Sequence, residues 1–347
     1  MTAEPVSKSI LVTGASGFIG LHLVRRLLLD GHRVKTLCRT AGSALAIMAS
    51  QDPRLQNRQG DLLTLEDKEL DLLLADIDVV YHLAGLVSYQ RRDITRQRLV
   101  NVEGTRRLCL AASRRPGLRF IHTSSIAGMG VPERDGELAD ESLVYNLSGL
   151  NLGYCDSKHE SEQVVMRFAS EGLDAVILSP GIIFGEGDTH VHHFRIFRSM
   201  SQGRALFVPR GGIPFSDIND VIAAHLNALG RGRRGERYCL VSANRTFKEA
   251  AQTFARLYMG KQTAASNLLE IPPAVTLIAG FICENILYDF GLKNSLTWQQ
   301  AWLANKKIFF ASDKAVRELG FAPTPFDEMI IRTTPYYLGK SAPLVSG

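Results

Sequence analysis

Short apolar runs alternate along the chain with longer segments in which apolar residues recur at helical spacing. The first run, Ile10-Leu11-Val12, leads through a Gly-rich turn into a segment of helical periodicity ending near Leu29. Further strands are predicted at residues 32–38, 55–59, 78–83, 118–122 and 174–179. Strands that alternate with helical segments are typical of βαβ units and a parallel sheet. We therefore predict an α/β fold, a doubly wound parallel sheet with helices on both faces.

The turn after the first predicted strand is rich in glycine. Its glycines would serve a tight turn, close approach of the backbone to a pyrophosphate, and close packing of helix on strand. Backbone N–H groups and the helix dipole would favour a diphosphate at that helix N-terminus. A glycine pattern alone also fits an ordinary turn, but here a strand precedes it and a helix follows it. We therefore predict a dinucleotide site of the Rossmann type, with cofactor contacts from Gly14, Ser16, Gly17, Phe18, Ile19 and Gly20.

Composition narrows the class of protein. The 347 residues are 45% hydrophobic and 22% charged, which suffices for a buried core in one or two domains. The net charge of +5 comes with arginines in short clusters rather than a dense basic stripe, so no nucleic-acid partner is expected. The five cysteines are scattered and lack C-x-x-C spacing, which predicts neither disulfides nor zinc and favours a reducing compartment. With no signal-peptide pattern in residues 1–9, we expect a cytoplasmic protein.

One apolar segment near the C-terminus could be mistaken for a membrane span. Residues 274–283 are strongly apolar, but Glu284, Asn285 and Asp289 interrupt the run well before the roughly 20 residues that a span needs. No integral membrane helix is predicted. Ala274 to Asp289 is expected to form a buried helix or to cover a pocket, and peripheral contact with a membrane stays open.

The end of the second predicted strand bears on the choice of cofactor. An acidic residue there would bind the ribose 2′-hydroxyl of NAD and repel a 2′-phosphate. This chain has Cys38-Arg39-Thr40 instead, without a carboxylate. Because Arg39 can pair with phosphate and stack on adenine, we predict NADP rather than NAD. The alternative is an ordinary surface arginine.

Later strand ends carry small or polar residues. Asp61, beside Leu62, could meet the adenine amino group or belong to the N-cap region of the next helix, predicted over 65–74. The small residues of Leu83-Ala84-Gly85 would let the chain pass close to the cofactor. A helix is predicted over 96–112, in which Asn101 could be a local cap or could hold the end of the fourth strand.

A cluster of hydroxyls and a tyrosine–lysine pair follow. Thr123-Ser124-Ser125 ends the fifth predicted strand, where doubly wound folds keep their ligands. Tyr154 and Lys158 lie four apart in a segment of helical periodicity, so both project from one face. That face could contact the cofactor.

In this order and spacing the motifs resemble those of the extended short-chain dehydrogenase/reductases, within the NAD-dependent epimerase/dehydratase superfamily. The chain is most similar to the dihydroflavonol reductase-like and 3β-hydroxysteroid dehydrogenase-like members. The resemblance covers about residues 8–240, including Pro180-Gly181, and extends more loosely through 215–220 and 314–320. It implies cofactor contacts from Thr123, Pro180 and Ile183, and a homodimer formed through the helices that carry Asn101 and Tyr154.

The resemblance also implies roles for three catalytic residues. Tyr154 would be the proton donor or acceptor, Lys158 would reach the nicotinamide ribose, and Ser125, rather than its neighbour Ser124, would orient the substrate oxygen. A free phenol has a pKa of about 10. The nearby ammonium and a positive nicotinamide ring are expected to lower the pKa of Tyr154.

Two departures from the family pattern bear on the substrate. Nucleotide-sugar epimerases usually carry an asparagine at the position of Ile182 and an arginine at that of Ile213, so a diphosphate would lack its clamp. Apolar residues of the substrate-binding half, Phe194, Phe197, Phe207, Phe215 and the segment 274–290, favour an apolar ketone or alcohol. We therefore predict an NADP-dependent oxidoreductase. The alternatives are a nucleotide-sugar epimerase or dehydratase, for which Arg210 could supply a phosphate contact, and a non-catalytic dinucleotide-binding regulator.

The predicted domains are a Rossmann domain over 8–188, to which 207–245 returns, and a smaller, mostly helical substrate-binding lobe from 189–206 and 246–340. A return strand is expected around 238–241. His190, His192 and His193 lack a closing set of ligands, so no metal site is predicted. The segment Ser88 to Arg98, which contains Tyr89, could cover the site and select substrate or could be a solvated connection.

Overall fold

A computed structural model describes residues 7–40, 42–188, 207–259, 268–287 and 296–338. Its strands are β1 Ser9–Thr13, β2 Arg33–Cys38, β3 Leu55–Gln59, β4 Val79–His82, β5 Arg119–Thr123, β6 Leu138–Ala139, β7 Asp174–Pro180, β8 Ile182–Phe184, β9 Phe207–Pro209, β10 Gly212–Asp217, β11 Arg237–Leu240, β12 Ala243–Thr246, β13 Leu269–Ile271 and β14 Phe309–Phe310.

Seven of these strands form one parallel sheet. Their order is β3-β2-β1-β4-β5-β7-β11, and every neighbouring pair is parallel. The chain first runs outward from β1 to β3 and then returns to β4 on the other side, so the strand order reverses between β1 and β4. Ligands of doubly wound sheets bind at this reversal, outside the carboxyl ends of the strands. The predicted sheet is confirmed.

The α-helices are α1 Phe18–Leu29, α2 Ser43–Gln51, α3 Asp67–Leu74, α4 Ile94–Gln97, α5 Gly104–Ser113, α6 Gly153–Ser170, α7 Ile218–Arg231, α8 Phe247–Phe254, α9 Pro273–Ile282, α10 Trp298–Ala304, α11 Asp313–Leu319 and α12 Phe326–Tyr337. The helix predicted over 96–112 is interrupted. It begins with α4, passes through a π-helical segment, Arg98–Glu103, and continues as α5.

Helices cover both faces of the sheet and enclose two apolar cores. On one face α1 and α7 pack with Leu23, Leu27 and Ile222 against alternate residues of the strands. On the other face α3, α5 and α6 contribute buried residues that include Leu108 and Val165. Burial on both faces explains why β1 and β7 read as apolar runs in the sequence, whereas the edge strand β3 is polar and mostly exposed.

A smaller lobe has its own core, which contains Phe254 and Met329, whereas α11 packs on the main sheet through Ala315 and Leu319. Three small sheets accompany it, β8-β10-β12, β9-β13 and β6-β14. Within 207–245, α7 and β11 lie in the layers of the main sheet, whereas β9, β10 and β12 belong to the small sheets. The residues 189–206, including Phe194, Phe197 and the three histidines, lie outside the described part.

Phe215 was expected to argue for an apolar substrate, and the structure corrects this. Its side chain is 1% exposed, stacks on Phe184 with ring centroids 5.3 Å apart, and also contacts Phe326. Because it fills the core of the smaller lobe, Phe215 reports packing and not the polarity of a substrate.

The apolar segment near the C-terminus also differs from expectation over its described part. Helix α9 packs through Thr276 and Gly280 against α10, where a Cβ at Gly280 would lie 2.9 Å from Ala301 Cβ. Its other face leaves Val275 and Phe281 more than half exposed, so α9 is not a buried helix. None of the helices in the described residues is long and apolar enough to cross a membrane.

Candidate functional site

The Gly-rich turn joins β1 to α1 at the point where the strand order reverses. Gly14 has φ +70°, and a Cβ there would lie 2.7 Å from Ala84 N. A Cβ at Gly20 would lie 2.3 Å from Gly14 O, so helix and strand can pack this closely only without side chains. Gly17 is exposed, precedes the first residue of α1, and receives no side-chain cap. The N–H groups at this helix start are therefore available to an anion.

The other residues of the turn border the same helix start. Ser16 is exposed, while Phe18 and Ile19 are half-buried and pack against the core beneath α1. The turn thus presents backbone and one hydroxyl outward and keeps its apolar side chains inward. This arrangement suits a phosphate group better than an apolar ligand.

The end of β4 lies directly against this turn. Leu83 N donates to Thr13 O at 3.2 Å, and Ala84 N donates to Thr13 Oγ1 at 3.3 Å. Gly85 is exposed, and a Cβ there would lie 3.5 Å from Lys158 Nζ. The segment 83–85 therefore links the Gly-rich turn to the lysine of α6.

Two further predicted contacts lie at the ends of β2 and β3. Arg39 is exposed, and Gln59 of the neighbouring strand donates to its carbonyl at 3.0 Å. Asp61 accepts a hydrogen bond from Leu63 N at 2.9 Å, and Leu62 beside it is buried. Helix α3 begins at Asp67 and is capped by Glu66 with a capping box, so Asp61 is not its N-cap.

Lys158 is buried at the carboxyl end of β5. Its Nζ donates to Thr123 O at 3.0 Å, and the residue is only 6% exposed. Burial lowers the pKa of Lys158 to about 8, and Glu162 acts against this fall. Near pH 8, a substantial fraction of the Lys158 side chains therefore carries a neutral amine.

Tyr154 lies one helical turn before Lys158, at the start of α6. Burial raises the pKa of Tyr154 to about 12, and contact with the Ser125 hydroxyl acts in the opposite direction. The fall in the pKa of Tyr154 that was expected beside an ammonium and a nicotinamide ring is therefore not seen in the chain without its cofactor. In the chain by itself Lys158 directs its ammonium to a carbonyl oxygen, and desolvation of the phenolate outweighs any attraction.

The two serines after β5 have different surroundings. Ser125 Oγ accepts a hydrogen bond from Ala127 N at 3.2 Å and contacts the Tyr154 phenol. Ser124 is buried, and its hydroxyl has no hydrogen-bond partner among the described residues. Of the two serines, Ser125 is the one whose hydroxyl contacts the Tyr154 phenol.

Asn101 holds the segment that follows β4. Its side chain bonds both the N–H and the carbonyl of Leu86, at 2.7 and 3.1 Å, and donates to Ser157 Oγ at 2.9 Å. The local-cap alternative is thus excluded. Asn101 ties the loop beside Lys158 to helix α6, and its place within a π-helical segment could not be read from periodicity.

Tyr89 brings a second aromatic ring to the site. It meets the Tyr154 ring edge-on, with centroids 5.7 Å apart, and burial raises its pKa well above the usual value. Its loop is held by Ser88 Oγ, which donates to Asp93 at 2.7 Å, and by Gln97 Nε2, which donates to Ser88 O at 2.7 Å. The start of the segment 88–98 is therefore held next to Tyr154, while the arginines at 91, 92, 96 and 98 are exposed to solvent.

The last predicted contacts lie at the neighbouring strand ends. Pro180 closes β7, and Ile183 is half-buried in β8, paired with Ser216 of β10. Within the described ranges, no group of three or more His, Cys, Asp or Glu side chains is arranged to hold a metal ion.

These residues fit a nicotinamide dinucleotide. The exposed Gly17 leaves room that a side chain would fill at the start of α1, and the strand ends that carry Arg39, Gly85 and Thr123 lie along one edge of the sheet. A long ligand on this edge would extend from Arg39 past the helix start toward Lys158. No resident metal is needed for such a ligand.

Comparison with known proteins agrees with this geometry. The model of the NAD dependent epimerase/dehydratase family matches residues 10–240. A putative dihydroflavonol 4-reductase of Synechocystis sp. is 30% identical, over 89% of this chain and 88% of its own. A 3 beta-hydroxysteroid dehydrogenase/Delta 5→4-isomerase of Mycobacterium tuberculosis is 32% identical, over 95% of this chain and 90% of its own.

A solved structure shows the same fold. The UDP-glucuronic acid 4-epimerase of Bacillus cereus, in complex with NAD, superimposes with a TM-score of 0.72 over 96% of this chain and all of its own, at 22% identity. The family model covers well over half of the chain, and the motifs it spans meet at one edge of the parallel sheet. The chain therefore belongs to the NAD dependent epimerase/dehydratase family.

Proposed function

We propose that the chain is an NADP-dependent oxidoreductase that reduces a ketone on a relatively apolar substrate, or oxidises the corresponding secondary alcohol. The observation that carries the proposal is the grouping of Ser125, Tyr154 and Lys158 at the carboxyl end of β5. The reductase and dehydrogenase names of the two relatives support the same class of reaction.

Each of the three side chains has a separate task in this proposal. The dinucleotide, when bound, supplies or takes up the hydride. Tyr154 is protonated at neutral pH and gives its phenolic proton to the substrate oxygen as that oxygen gains negative charge. Ser125 holds the same oxygen, and Lys158 binds the ribose and offsets the charge left on the phenolate.

The preference for NADP rests on the end of β2. Residues 38–43 contain no carboxylate, and Arg39 is exposed at this position, next to the start of α2. A guanidinium there pairs with a 2′-phosphate. NAD lacks this phosphate and would keep only the stacking of Arg39 on adenine.

The preference for an apolar substrate rests on apolar or aromatic side chains near the site. Ile182 is half-buried in β8, and the Tyr89 ring lies against that of Tyr154. Ile213 packs against the core of the smaller lobe, so it only shows that no guanidinium stands at that position. None of them can clamp a diphosphate. Arg210, the alternative clamp, is 66% exposed and has its Nε 3.8 Å from a carboxylate oxygen of Glu270, so an anion there would meet a guanidinium already beside a negative charge.

The test is a screen of carbonyl compounds with NADPH. Cyclic and aryl ketones should oxidise NADPH, whereas UDP-glucose and UDP-glucuronate should be neither consumed nor epimerised. Turnover of the UDP-sugars without any ketone reduction would make the chain a nucleotide-sugar epimerase. Tight NADPH binding without turnover of any compound would support a non-catalytic regulator.

We also propose a homodimer through α4 to α6. A groove of about 520 Å³ lies between these helices, lined by residues that include Ile94, Leu99 and Val102. Leu99 is 49% exposed on this face. Sedimentation should give a dimer for the wild type and a monomer for Leu99→Arg, and a wild-type monomer would exclude this interface.

A further inference from the structure

A buried carboxylate lies one helical turn beyond Lys158. Glu162 is 2% exposed, and both of its oxygens are already engaged. Ser179 Oγ of β7 donates to Oε1 at 3.2 Å, and Arg237 Nη1 of β11 donates to Oε2 at 2.8 Å. The carboxylate is therefore held between the helix and two strands, and its charge acts on Lys158.

Arg237 is itself fixed in place. Its Nη2 donates to Glu141 O at 2.7 Å, and its side chain is only 18% exposed. The Glu162–Arg237 pair therefore joins α6 to β11, and Glu162 is its member on the helix of Lys158, one turn away.

Glu162 is the charged group that can compensate Lys158. The other titratable groups facing the lysine are His82 from β4, His122 from β5 and Tyr154 from α6. Burial holds the pKa of His82 near 3 and that of His122 well below its usual value, so both rings are neutral. Among the described residues, no carboxylate forms a direct ion pair with Lys158 Nζ.

We propose that Glu162 is a positioning residue, held by Arg237 and Ser179 so that it keeps Lys158 protonated without binding the ammonium directly. If Glu162 were free, it would pair with Lys158 and occupy the N–H groups that a ligand needs. Because Ser179 and Arg237 hold its carboxylate, Glu162 acts on Lys158 through its electric field. The N–H groups of the ammonium stay available to a ligand. The functional value of this arrangement rests on the proposed role of Lys158, but its electrostatic effect does not.

The proposal predicts opposite effects for two substitutions. Glu162→Gln removes the charge and should lower the midpoint of the Lys158 titration by about 1 pH unit. Arg237→Gln releases the carboxylate toward Lys158 and should raise that midpoint. A merely structural disturbance would not move the midpoint in opposite directions. Glu171→Gln, at the exposed end of the same helix, is the matched control and should leave it unchanged.

The measurement is an NMR titration of the protein labelled at lysine ¹³Cε, without cofactor. The Lys158 signal is assigned by its loss in Lys158→Arg, and folding of each variant is checked by thermal melting. If one variant fails to fold, the direction in which the midpoint of the Lys158 titration shifts in the other variant decides whether the proposal holds. An unchanged midpoint in a folded Glu162→Gln or Arg237→Gln protein would overturn the proposal. The titration needs no turnover, so absence of ketone reduction would contradict the proposed function alone.

Discussion

Lys158 Nζ donates a 3.0 Å hydrogen bond to the carbonyl oxygen of Thr123, and this bond fixes helix α6 to the end of β5. It also places an ammonium in a buried site where solvation is lost. The position is costly for stability, and in the proposed reaction it lets Lys158 bind a ribose and support a phenolate. Sites that perturb a pKa in this way are often catalytic.

The cost of the buried ammonium can be measured through the pH dependence of unfolding. The pKa of Lys158 is about 8 in the folded chain against 10.5 for a free lysine. The unfolded chain binds more protons between these values, so the contribution of Lys158 to stability rises with pH in this window and is lowest below pH 8. The difference corresponds to about 3 kcal/mol.

Lys158→Met removes this dependence. Urea unfolding at pH 7.5 and at about pH 10.5 should show the wild type gaining about 3 kcal/mol relative to Lys158→Met as the pH rises. Lys35→Met is the control, since Lys35 lies on the surface beside Asp76. Parallel pH profiles for wild type and Lys158→Met would show that the amine is not desolvated.

The glycines of the turn should separate folding from binding. Gly20→Ala places a Cβ 2.3 Å from Gly14 O and should destabilise the fold by about 3 kcal/mol. Gly17→Ala meets only Gly14 O, at 3.2 Å, and should fold but bind NADPH much more weakly because the methyl group occupies the diphosphate position. Thermal melting and NADPH fluorescence test the pair. If Gly17→Ala bound NADPH with wild-type affinity, the diphosphate would have to bind somewhere other than at Gly17.

Arg39 should control the choice of cofactor. Arg39→Ala should weaken NADPH binding by about 10-fold to 100-fold, as expected for loss of a charged hydrogen bond, and should weaken NADH binding far less, because NADH loses only the stacking on adenine. Arg33→Ala, at the opposite end of the same strand, serves as the control. The measurement is calorimetric titration of each variant with both cofactors, and equal losses for NADPH and NADH would refute a specific contact with the 2′-phosphate.

Tyr154 should be needed for turnover and not for folding. Tyr154→Phe keeps the ring that meets Tyr89 but loses the proton donor, so kcat should fall about 100-fold or more while NADPH affinity changes little. Tyr238→Phe, whose hydroxyl donates to Glu318 away from the site, should keep wild-type kcat. Full activity of Tyr154→Phe would assign the proton to another group.

The sequence was informative wherever local pattern determines structure. Runs such as Ile10-Leu11-Val12 are buried on both faces of the sheet, so their apolar pattern predicted the strand directly. Asp61 and Asn101 could not be assigned in advance, because their partners lie at positions set by the three-dimensional fold. Leu86, which Asn101 binds, is 15 residues away in sequence.

Contacts between residues that are far apart in the sequence explain the remaining differences. Tyr154 and Lys158 were placed on one helix face by their spacing, but the degree of burial that raises one pKa and lowers the other depends on the whole sheet. The role of Glu162 could not be inferred from the sequence, because its partner Arg237 lies 75 positions later. Phe215 was placed wrongly because an aromatic residue in a core and one in a substrate pocket look the same in a sequence.

The central claim is that hydride passes between NADPH and an apolar carbonyl compound at the site of Tyr154. The most direct test uses NADPH carrying deuterium at both C4 positions and a cyclic ketone that the screen identifies. Mass spectrometry of the alcohol should show one deuterium on the carbinol carbon with wild-type protein, and almost no alcohol with Tyr154→Phe. UDP-sugar epimerisation by the wild type, with no deuterated alcohol from any ketone, would contradict the account.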